Sequence, residues 1–542
     1  MRLKSVAFSV IGLGVLLLSL TACLAQPTAG LTAATPMVQR SGGKLIYGLT
    51  LAPSGIDPHV NASSELGIPL TSVYDTLVYQ TANGRFVPGL ATDWEVSDDG
   101  LVYTFHLRRD VTFHDGTPFN AEAVKFNLDR IADPETKSQK AVLMLGPYDH
   151  CAVVDEYTVK VFFREPYAPF LDSLSQVYLG MASPTAVQKW GLDYQMHQVG
   201  TGPFMFKEYV PQDHLTLVRN PSYNWAPSVF EHQGPAFLDE VEFRFFVDPA
   251  TRALALESGD VHVVGEIPPQ DATRLETNSG FKIVPVPIPG QPLQGFLNTA
   301  KPPTDDLRVR QALLYSTDRR AIVQTIFRQY SPVAWGPLSA VTWGYDEAVV
   351  GRYDYDPVKA RALLDEAGWQ DADGDGIREK DGQPLVVMAY LMSWGYIPEV
   401  ATLLQAQWRE VGVDFHSEQV AYPAALEAAR LGKHNLILFN LAGSDPDLLR
   451  GFFRSDANFN WAKVNDPQLD TLLDEGARAR EPGERRAIYA DIQTRIMDQA
   501  LIIPIRDYAN LNGTSAAVQG LTYNPQGWFP WLYEVWLTGA GE

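Results

Sequence analysis

Cysteine, basic clusters and long apolar segments are all scarce in this sequence. Among its 542 residues only Cys23 and Cys151 are cysteines. Cys23 closes a leader-like segment, so no internal disulfide is expected, and Cys151 is interpreted as a small buried apolar residue. No group of Lys and Arg offsets the formal net charge of −21, which argues against nucleic acid as a partner. Beyond the leader, no apolar run approaches the roughly 20 residues that span a bilayer.

The composition is typical of a large globular protein. Apolar residues make up 46% of the chain and charged residues 20%, which indicates folded structure and not disorder. A chain of 542 residues is longer than one core usually organises, so we expect two or three domains. The excess of 64 acidic over 43 basic residues favours solubility.

The first residues are typical of an export leader. Arg2 and Lys4 precede a short apolar run over residues 6–20, and small residues follow it. The run ends in Leu-Thr-Ala-Cys at 20–23, which resembles a bacterial lipobox, a signal in which the cysteine is acylated and begins the mature protein. Cleavage by an ordinary signal peptidase is the alternative, and it would release an unanchored protein.

We favour lipidation of Cys23, which divides the start of the chain into a leader and a tether. Residues 1–22 are predicted to be the leader, and residues 23–42, rich in Ala, Thr, Pro, Gln and Gly, a flexible tether. The expected location is the cell envelope: anchored to the outer face of the cytoplasmic membrane, or in the periplasm.

Hairpin signals dominate the first part of the chain, and helix–strand alternation dominates the second. Asn83-Gly84 predicts a hairpin turn, and Leu101, Tyr103, Phe105 and Leu107 alternate as one face of a strand. The later alternation predicts an α/β arrangement. Helices are predicted over 120–128, from Asp306 toward 327, and over 357–367, 398–411, 422–431, 467–477 and 484–499, with strands over 204–209, 215–219, 385–391 and 435–439.

Enzyme signatures are missing from the sequence. It has no Gly-x4-Gly-Lys phosphate loop, no His-Glu-x2-His, no Cys-x2-Cys pair and no Gly-x-Ser-x-Gly elbow. We therefore expect a protein that is not an enzyme. A secreted hydrolase that uses paired carboxylates is the alternative from another class, since Asp and Glu are abundant.

One motif points to a metal. Asp371, Asp373 and Asp375 stand at the first, third and fifth positions of a calcium loop. The twelfth position, which should be a bidentate Glu, is Gly382, and Asp381 falls one place early. A solvated Asp/Gly turn is the alternative, and we favour it. No cofactor is otherwise expected, and calcium is the one that the motif suggests.

A family resemblance rests on stretches spread over nearly the whole chain. Their order and spacing are similar to those of the large extracellular solute-binding proteins of ABC importers, family 5, which includes oligopeptide-, dipeptide- and nickel-binding receptors. The stretches are VYDTLV at 73–78, PGLATDW at 88–94, YTFHLR at 103–108, FHDGTPF at 113–119, GTGPF at 200–204, RNP at 219–221, DLRVRQAL at 306–313 and YDP at 355–357.

The resemblance implies an α/β, two-lobed periplasmic-binding-protein-like fold with an extra domain inserted in the N-terminal lobe. The core of lobe 1 would combine residues 43–74, 199–288 and 509–542, with the inserted domain over 75–198. Lobe 2 would span 289–508. A ligand would be enclosed between the lobes, and an ABC permease would recognise the closed, monomeric protein.

The resemblance also places a ligand site after a strand of lobe 2. In the peptide-binding branch an Asp meets the ligand's free amino group shortly before an acidic residue followed by Pro. Here that position holds Ala442, ahead of Asp445, so no charge-assisted hydrogen bond to a peptide's amino terminus is expected from it, and Asp445 is the nearest replacement. The stretch nominates Asn440, Ala442, Ser444 and Asp445 as ligand-binding residues.

Aromatic residues supply the other candidates. Of the 12 Trp, Trp335, Trp343, Trp394 and Trp461 lie in loop-like stretches of lobe 2, and we nominate Trp394 and Trp461. Trp394 follows a strand, where α/β clefts form. Tyr508 is nominated because the family's chain crosses between lobes there.

The predicted function is capture of a peptide or peptide-like small solute for a membrane permease. An oligosaccharide, favoured by the Trp content, and a nickel chelate, whose branch also lacks the Asp, are the alternatives within the family. A sensory receptor that presents its closed form to a signalling partner is a further alternative.

Overall fold

The computed structural model describes residues 41–50, 55–60 and 66–539. The predicted leader, Cys23 and most of the tether lie outside the described residues. Within the described residues, no helix is both long and apolar enough to cross a membrane.

Helices and strands alternate along the described chain. The helices are α1 Gly67–Val73, α2 Ala121–Ala132, α3 Lys140–Leu145, α4 Phe170–Leu174, α5 Pro184–Trp190, α6 Pro249–Ser258, α7 Pro269–Leu275, α8 Leu307–Tyr315, α9 Arg319–Phe327, α10 Pro357–Glu366, α11 Ile397–Arg409, α12 Tyr422–Arg430, α13 Arg450–Phe453, α14 Pro467–Arg478 and α15 Pro482–Asp498. The strands are β1 Lys44–Leu49, β2 Val78–Gln80, β3 Phe86–Pro88, β4 Ala91–Val96, β5 Val102–Leu107, β6 Tyr148–Asp155, β7 Thr158–Phe163, β8 Phe204–Val210, β9 His214–Arg219, β10 Glu240–Phe245, β11 Val263–Val264, β12 Phe281–Pro287, β13 Gly290–Leu297, β14 Glu379–Lys380, β15 Gln383–Pro384, β16 Val386–Leu391, β17 Asp414–Gln419, β18 Leu436–Ala442, β19 Ile502–Arg506, β20 Ala509–Ser515, β21 Val518–Gln519, β22 Thr522–Tyr523, β23 Pro530–Trp531 and β24 Trp536–Leu537.

Three larger sheets organise these elements. The first has the order β12-β20-β11-β1-β10-β9-β8 and forms the core of lobe 1. The second, β17-β16-β18-β13-β19, forms the core of lobe 2, and the antiparallel sheet β4-β5-β7-β6 belongs to the inserted domain. The strands of the first sheet all come from the regions predicted as the lobe 1 core, those of the second from the region predicted as lobe 2, and those of the third from the predicted insertion.

The buried apolar residues form separate cores. One large group joins lobe 1 with the inserted domain and includes Tyr47 and Phe105, and another fills lobe 2 around Phe296 and Trp408. Separate cores allow two lobes to move as rigid bodies. Cys151 is buried and free, as predicted.

Two short segments cross between the lobes. The chain leaves lobe 1 at Pro287 and enters lobe 2 at Gly290, and it returns between Arg506 and Ala509. Pro287 pairs with Ala509 in the lobe 1 sheet, while Leu293 pairs with Arg506 in the lobe 2 sheet. The two crossings therefore run side by side.

Most helix predictions are confirmed to within two or three residues, but the helix predicted from Asp306 toward 327 is wrong. The structure has two helices, α8 and α9, separated at Ser316–Asp318. Thr317 Oγ1 donates to the carbonyl of Leu313 at 2.7 Å, and the Asp318 carboxylate accepts the amide N–H of Ala321 at 2.9 Å. The second helix is thus started by its own cap, because Thr and Asp compete for backbone hydrogen bonds.

Candidate functional site

The carboxyl-terminal edge of the lobe 2 sheet faces the crossing segments. β16 runs parallel to β17 and to β18, so all three strands end at this edge. Ala442, the last residue of β18, pairs with Gly290, where the first crossing enters lobe 2. Residues that follow these strands therefore lie between the lobes, which is where open α/β folds bind ligands.

Partly exposed aromatic side chains gather at this edge. Trp394 follows β16 and Tyr422 follows β17, and their ring centroids are 5.5 Å apart. Trp394 also lies 6.0 Å from Phe439 of β18. Trp394, Tyr422, Leu441 and Phe459 are each 38% exposed, although large apolar side chains are normally buried. We call the three aromatic residues, Trp394, Tyr422 and Phe459, the aromatic edge; their rings offer faces for stacking.

The second crossing carries the other nominated aromatic residue. Tyr508 Oη donates to Glu266 Oε1 of lobe 1 at 3.1 Å, and its ring lies 5.5 Å from Trp528. The guanidinium carbon of Arg506 stands 4.3 Å from the Tyr508 ring centroid. Burial lowers the pKa of Arg506, and Tyr508 counteracts part of this effect.

Asp445 is engaged within lobe 2. Its two carboxylate oxygens accept from Arg485 Nη2 at 2.6 Å and Nη1 at 2.7 Å, and both side chains are largely buried. Oδ1 also accepts the amide N–H of Asp447 at 2.8 Å. This bidentate pair opposes any movement of Asp445 into the place of the carboxylate that Ala442 lacks.

Ser444 connects the lobes. Its Oγ donates a short hydrogen bond to Asp172 of the inserted domain and accepts from Gln526 Nε2 of lobe 1 at 2.6 Å. All three residues are at least nine-tenths buried. We call Asp172, Ser444 and Gln526 the lobe latch. Burial, followed by the charge of Asp445, raises the pKa of Asp172 to about 7.

The remaining nominated residues lie on or behind the same edge. Trp461 is 3% exposed and packs its ring 4.8 Å from Phe439, within the lobe 2 core. Asn440 is half-buried in β18 and, by strand alternation, shares a face with Ala442. Contact of the nominated residues with ligand stays a prediction.

Sequence reasoning missed Asp172, Gln526, Glu266 and Tyr422. Asp172 is 272 positions from Ser444, and Gln526 is 82 positions away. No local pattern signals such distant pairing. Tyr422 could have been found, because it is the first residue of the helix predicted over 422–431, and a helix that starts after a sheet strand begins at the edge where α/β folds bind ligands.

The acidic loop has a fourth carboxylate that the calcium-loop pattern did not include. Side-chain oxygens of Asp371, Asp373, Asp375 and Glu379 lie within 4.8 Å of one another. Glu379 reaches the group because its backbone pairs with Gln370. The Asp residues are exposed and accept amide N–H groups of the loop, as in a solvated turn. Calcium binding stays a prediction.

Two lobes, two crossings and exposed aromatic residues at the lobe 2 edge that meets the first crossing are the architecture of a two-lobed solute-binding protein. The family model of bacterial extracellular solute-binding proteins, family 5 (middle region), matches residues 85–462. The chain belongs to this family. The predicted family and fold are thus confirmed, and membership in a family of binding proteins agrees with the expectation that the chain is not an enzyme.

Relatives cover most of the chain. The glutathione-binding protein GsiB of Shigella flexneri is 30% identical over 77% of this chain and 79% of its own length. The nickel-binding periplasmic protein of Escherichia coli is 28% identical over 87% of this chain and 90% of its own. The structure of NikA from Brucella suis with Fe(III)-EDTA superposes with a TM-score of 0.81 at 25% identity, covering 92% of this chain and all of that one.

Proposed function

We propose that this protein is the lipid-anchored binding component of an ABC importer and captures a peptide-like solute between its lobes. The aromatic edge beside the Tyr508 crossing carries the proposal. Relatives named for dipeptides, di- and tripeptides and glutathione support a peptide-like ligand. The ligand selects the closed form through contacts that only closed lobes can make together.

The aromatic edge supplies binding energy without charge. Closing lobe 1 over Trp394 and Tyr422 removes apolar ring surface from water, worth about 25 cal/mol per Å². Ring faces also stack on peptide planes, worth about 0.5–1.5 kcal/mol beyond the buried area. Tyr508 and its partner Glu266 provide polar groups where the ligand meets the crossing. The ligand is therefore held chiefly by stacking and by hydrogen bonds.

The identity of the ligand is tested directly. The protein is purified from its native host, and any co-purified solute is identified by native mass spectrometry. That solute is then removed and titrated back by calorimetry. A peptide-like solute supports the proposal, whereas turnover of the solute during titration would support the hydrolase alternative.

Trp394→Ala should weaken binding of that solute by about 10- to 100-fold, the loss expected when a central aromatic anchor is truncated. Calorimetric titration measures the effect. Trp190→Ala is the matched control, because Trp190 is partly buried in α5 against His197, 3.7 Å away, and not at the aromatic edge. Equal affinities of the Trp394 variant and the wild type would contradict the assigned site.

Ala442→Asp should create a preference for peptides with a free amino terminus. A carboxylate at this position adds a charge-assisted hydrogen bond to an α-ammonium, worth about 1.5–3 kcal/mol. Titration of matched free and N-acetylated dipeptides measures the preference, and Ala442→Asn separates charge from size. If the Asp variant bound both peptides as the wild type does, residue 442 would not face the ligand's amino end.

A metal chelate is the second candidate ligand, and Ala442 is the observation that favours it. The absence of a carboxylate at this position disfavours an α-ammonium but not a complex held by stacking. NikA, a structural relative, was solved with Fe(III)-EDTA. Titration with nickel–histidine in parallel with the peptides decides between the two candidates.

Lipid attachment at Cys23 places the protein at the outer face of the cytoplasmic membrane, next to the permease. The Leu-Thr-Ala-Cys stretch at 20–23 supports this part of the proposal. Radiolabelled fatty acid should be incorporated into the wild type and not into Cys23→Ala. Label on the variant would refute the anchor.

A further inference from the structure

A cavity of about 450 Å³ lies at the junction of the lobes, apart from the aromatic edge. Gln80, Asn83, Asn524 and Trp531 contribute its lobe 1 side, and Trp343 and Ser444 its lobe 2 side. Its volume is within the roughly 300–1,000 Å³ of ligand pockets. Because both lobes supply walls, the cavity is complete only when they are together.

The lining of the cavity, as far as the described residues go, includes neither Tyr508 nor any residue of the aromatic edge. Asp507 Oδ2 accepts the amide N–H of Ala340 at 3.0 Å, whereas the next side chain, Tyr508, reaches Glu266 of lobe 1. Successive side chains of an extended segment point to opposite faces. Val341, the neighbour of Ala340, lines the cavity, which is therefore distinct from the cleft that Tyr508 faces.

The lining is uncharged in a strongly charged protein. Its described residues include no Asp, Glu, Lys, Arg or His, although the chain has 64 acidic and 43 basic residues. Trp343, Trp531 and Tyr523 supply aromatic surface, and Gln80, Asn83 and Asn524 supply amides. An ammonium or carboxylate group would lose its hydration here and find no opposite charge, which is costly. The lining thus selects a neutral molecule.

Within the part of the chain that the structure describes, two residues of the cavity lining carry buried amide oxygens that lack a hydrogen-bond donor. Gln80 is 7% exposed, and its Oε1 has no partner; Asn524 Oδ1 is likewise buried without one. Buried acceptors of this kind normally receive a hydrogen bond from protein, water or ligand. Trp rings beside open acceptors match a molecule that presents C–H faces and hydroxyl donors together, and sugar rings do so.

We propose that this cavity is a second binding site, for a neutral saccharide of one or two rings. Such a ligand would stack on Trp343 or Trp531 and, as the buried amides of Gln80 and Asn524 turn toward the cavity, donate hydroxyls to their oxygens. Because the walls belong to different lobes, it would bind the closed form and so strengthen capture of solute in the cleft. Reciprocally, cleft ligand would strengthen saccharide binding.

The test uses the full chain and a panel of neutral probes: glucose, maltose, cellobiose and N,N′-diacetylchitobiose. Calorimetry and tryptophan fluorescence should detect binding of at least one of them. Glucuronate and glucosamine, which carry a charge, should bind at least 10-fold more weakly than glucose. Trp343→Ala and Gln80→Leu should each reduce saccharide affinity at least 10-fold, while Trp190→Ala should leave it unchanged.

Thermal melting confirms that each variant is folded, and Gln80→Leu retains side-chain size should the Trp343 variant not fold. Absence of binding by every neutral probe at tens of millimolar would overturn the proposal, with water then satisfying both amide oxygens. Loss of saccharide binding in Trp394→Ala but not in Gln80→Leu would also overturn it, because the sugar would then occupy the cleft. Neither result would change the assignment of the aromatic edge as the site for the transported solute.

Discussion

Asp445→Ala is expected to lower the free energy of unfolding by about 3–5 kcal/mol, because it leaves the Arg485 guanidinium buried without its carboxylate. The side chains of Asp445 and Arg485 are 14% and 8% exposed. Arg485 Nε would keep its bond to the carbonyl of Gly476, at 2.8 Å, but both terminal nitrogens would lose their partner. Urea denaturation at constant pH measures the change.

Two further variants separate the effect of losing the Asp445–Arg485 pair from an unspecific loss of stability. Asp445→Ala with Arg485→Met removes both charges, and it should recover a large part of the lost stability, since replacing a whole buried pair by apolar groups is often nearly neutral. Glu427→Ala breaks the exposed pair with Arg430 and should have a far smaller effect. If the single Asp445 variant matched the Glu427 variant, the Arg485 pair would have no structural importance.

Asp172→Asn is expected to flatten the pH dependence of stability between pH 5 and pH 8. The wild type should lose about 2–3 kcal/mol more stability than the variant over this interval, given a pKa near 7 in the native state. The pKa of Asp172 is raised because the side chain is buried in the lobe latch and because the charge of Asp445 repels its charge. Arg485 offsets only part of that repulsion.

Stability should fall with rising pH, because folding raises the pKa of the Asp172 carboxyl. Between the unfolded value near 4 and the native value near 7, the native state holds a proton that the unfolded state has lost. The stability that Asp172 contributes is therefore complete below about pH 4 and is lost as pH rises through 7. Burial also raises the pKa of Asp507 to about 7. Asp507 therefore lowers the stability of the wild type and of Asp172→Asn equally as pH rises, and its effect cancels when the two profiles are subtracted.

Denaturation curves at matched ionic strength provide the measurement. Asp491→Asn, on the exposed side of α15, is the control and should follow the wild-type profile. Parallel profiles for wild type and Asp172→Asn would show that Asp172 ionises normally, which would mean that the latch is open in solution.

Local signals in the chain predicted the elements well. The Asn120 side chain caps α2 as expected, accepting the amide N–H of Ala123 at 3.1 Å. Tyr103, Phe105 and Leu107 are all buried on one face of β5. The Asn83-Gly84 turn is present, with Gly84 at φ +79°, although the loop between β2 and β3 is longer than two residues. These features depend on neighbours in sequence, which is why they could be predicted.

The candidate site was predictable only in part. Trp394 was found because a loop after an α/β strand lies at the edge where ligands bind. Trp461 has the same kind of sequence neighbourhood but is buried behind Phe439. Asp445 looked available for a ligand, and Arg485, 40 positions later, holds it. Sequence cannot distinguish such cases, because exposure and pairing depend on packing between distant segments.

By itself the sequence determined the family, the two lobes, the crossing at Tyr508 and the missing carboxylate at Ala442, since motif order and single-residue identity are local properties. Only the tertiary structure decided that Ser444 joins Asp172 and Gln526, and that an uncharged cavity lies beside this latch. The reason is physical: the pKa of Asp172 and the open amide of Gln80 depend on burial by segments far apart in the chain, and burial exists only once the lobes pack together.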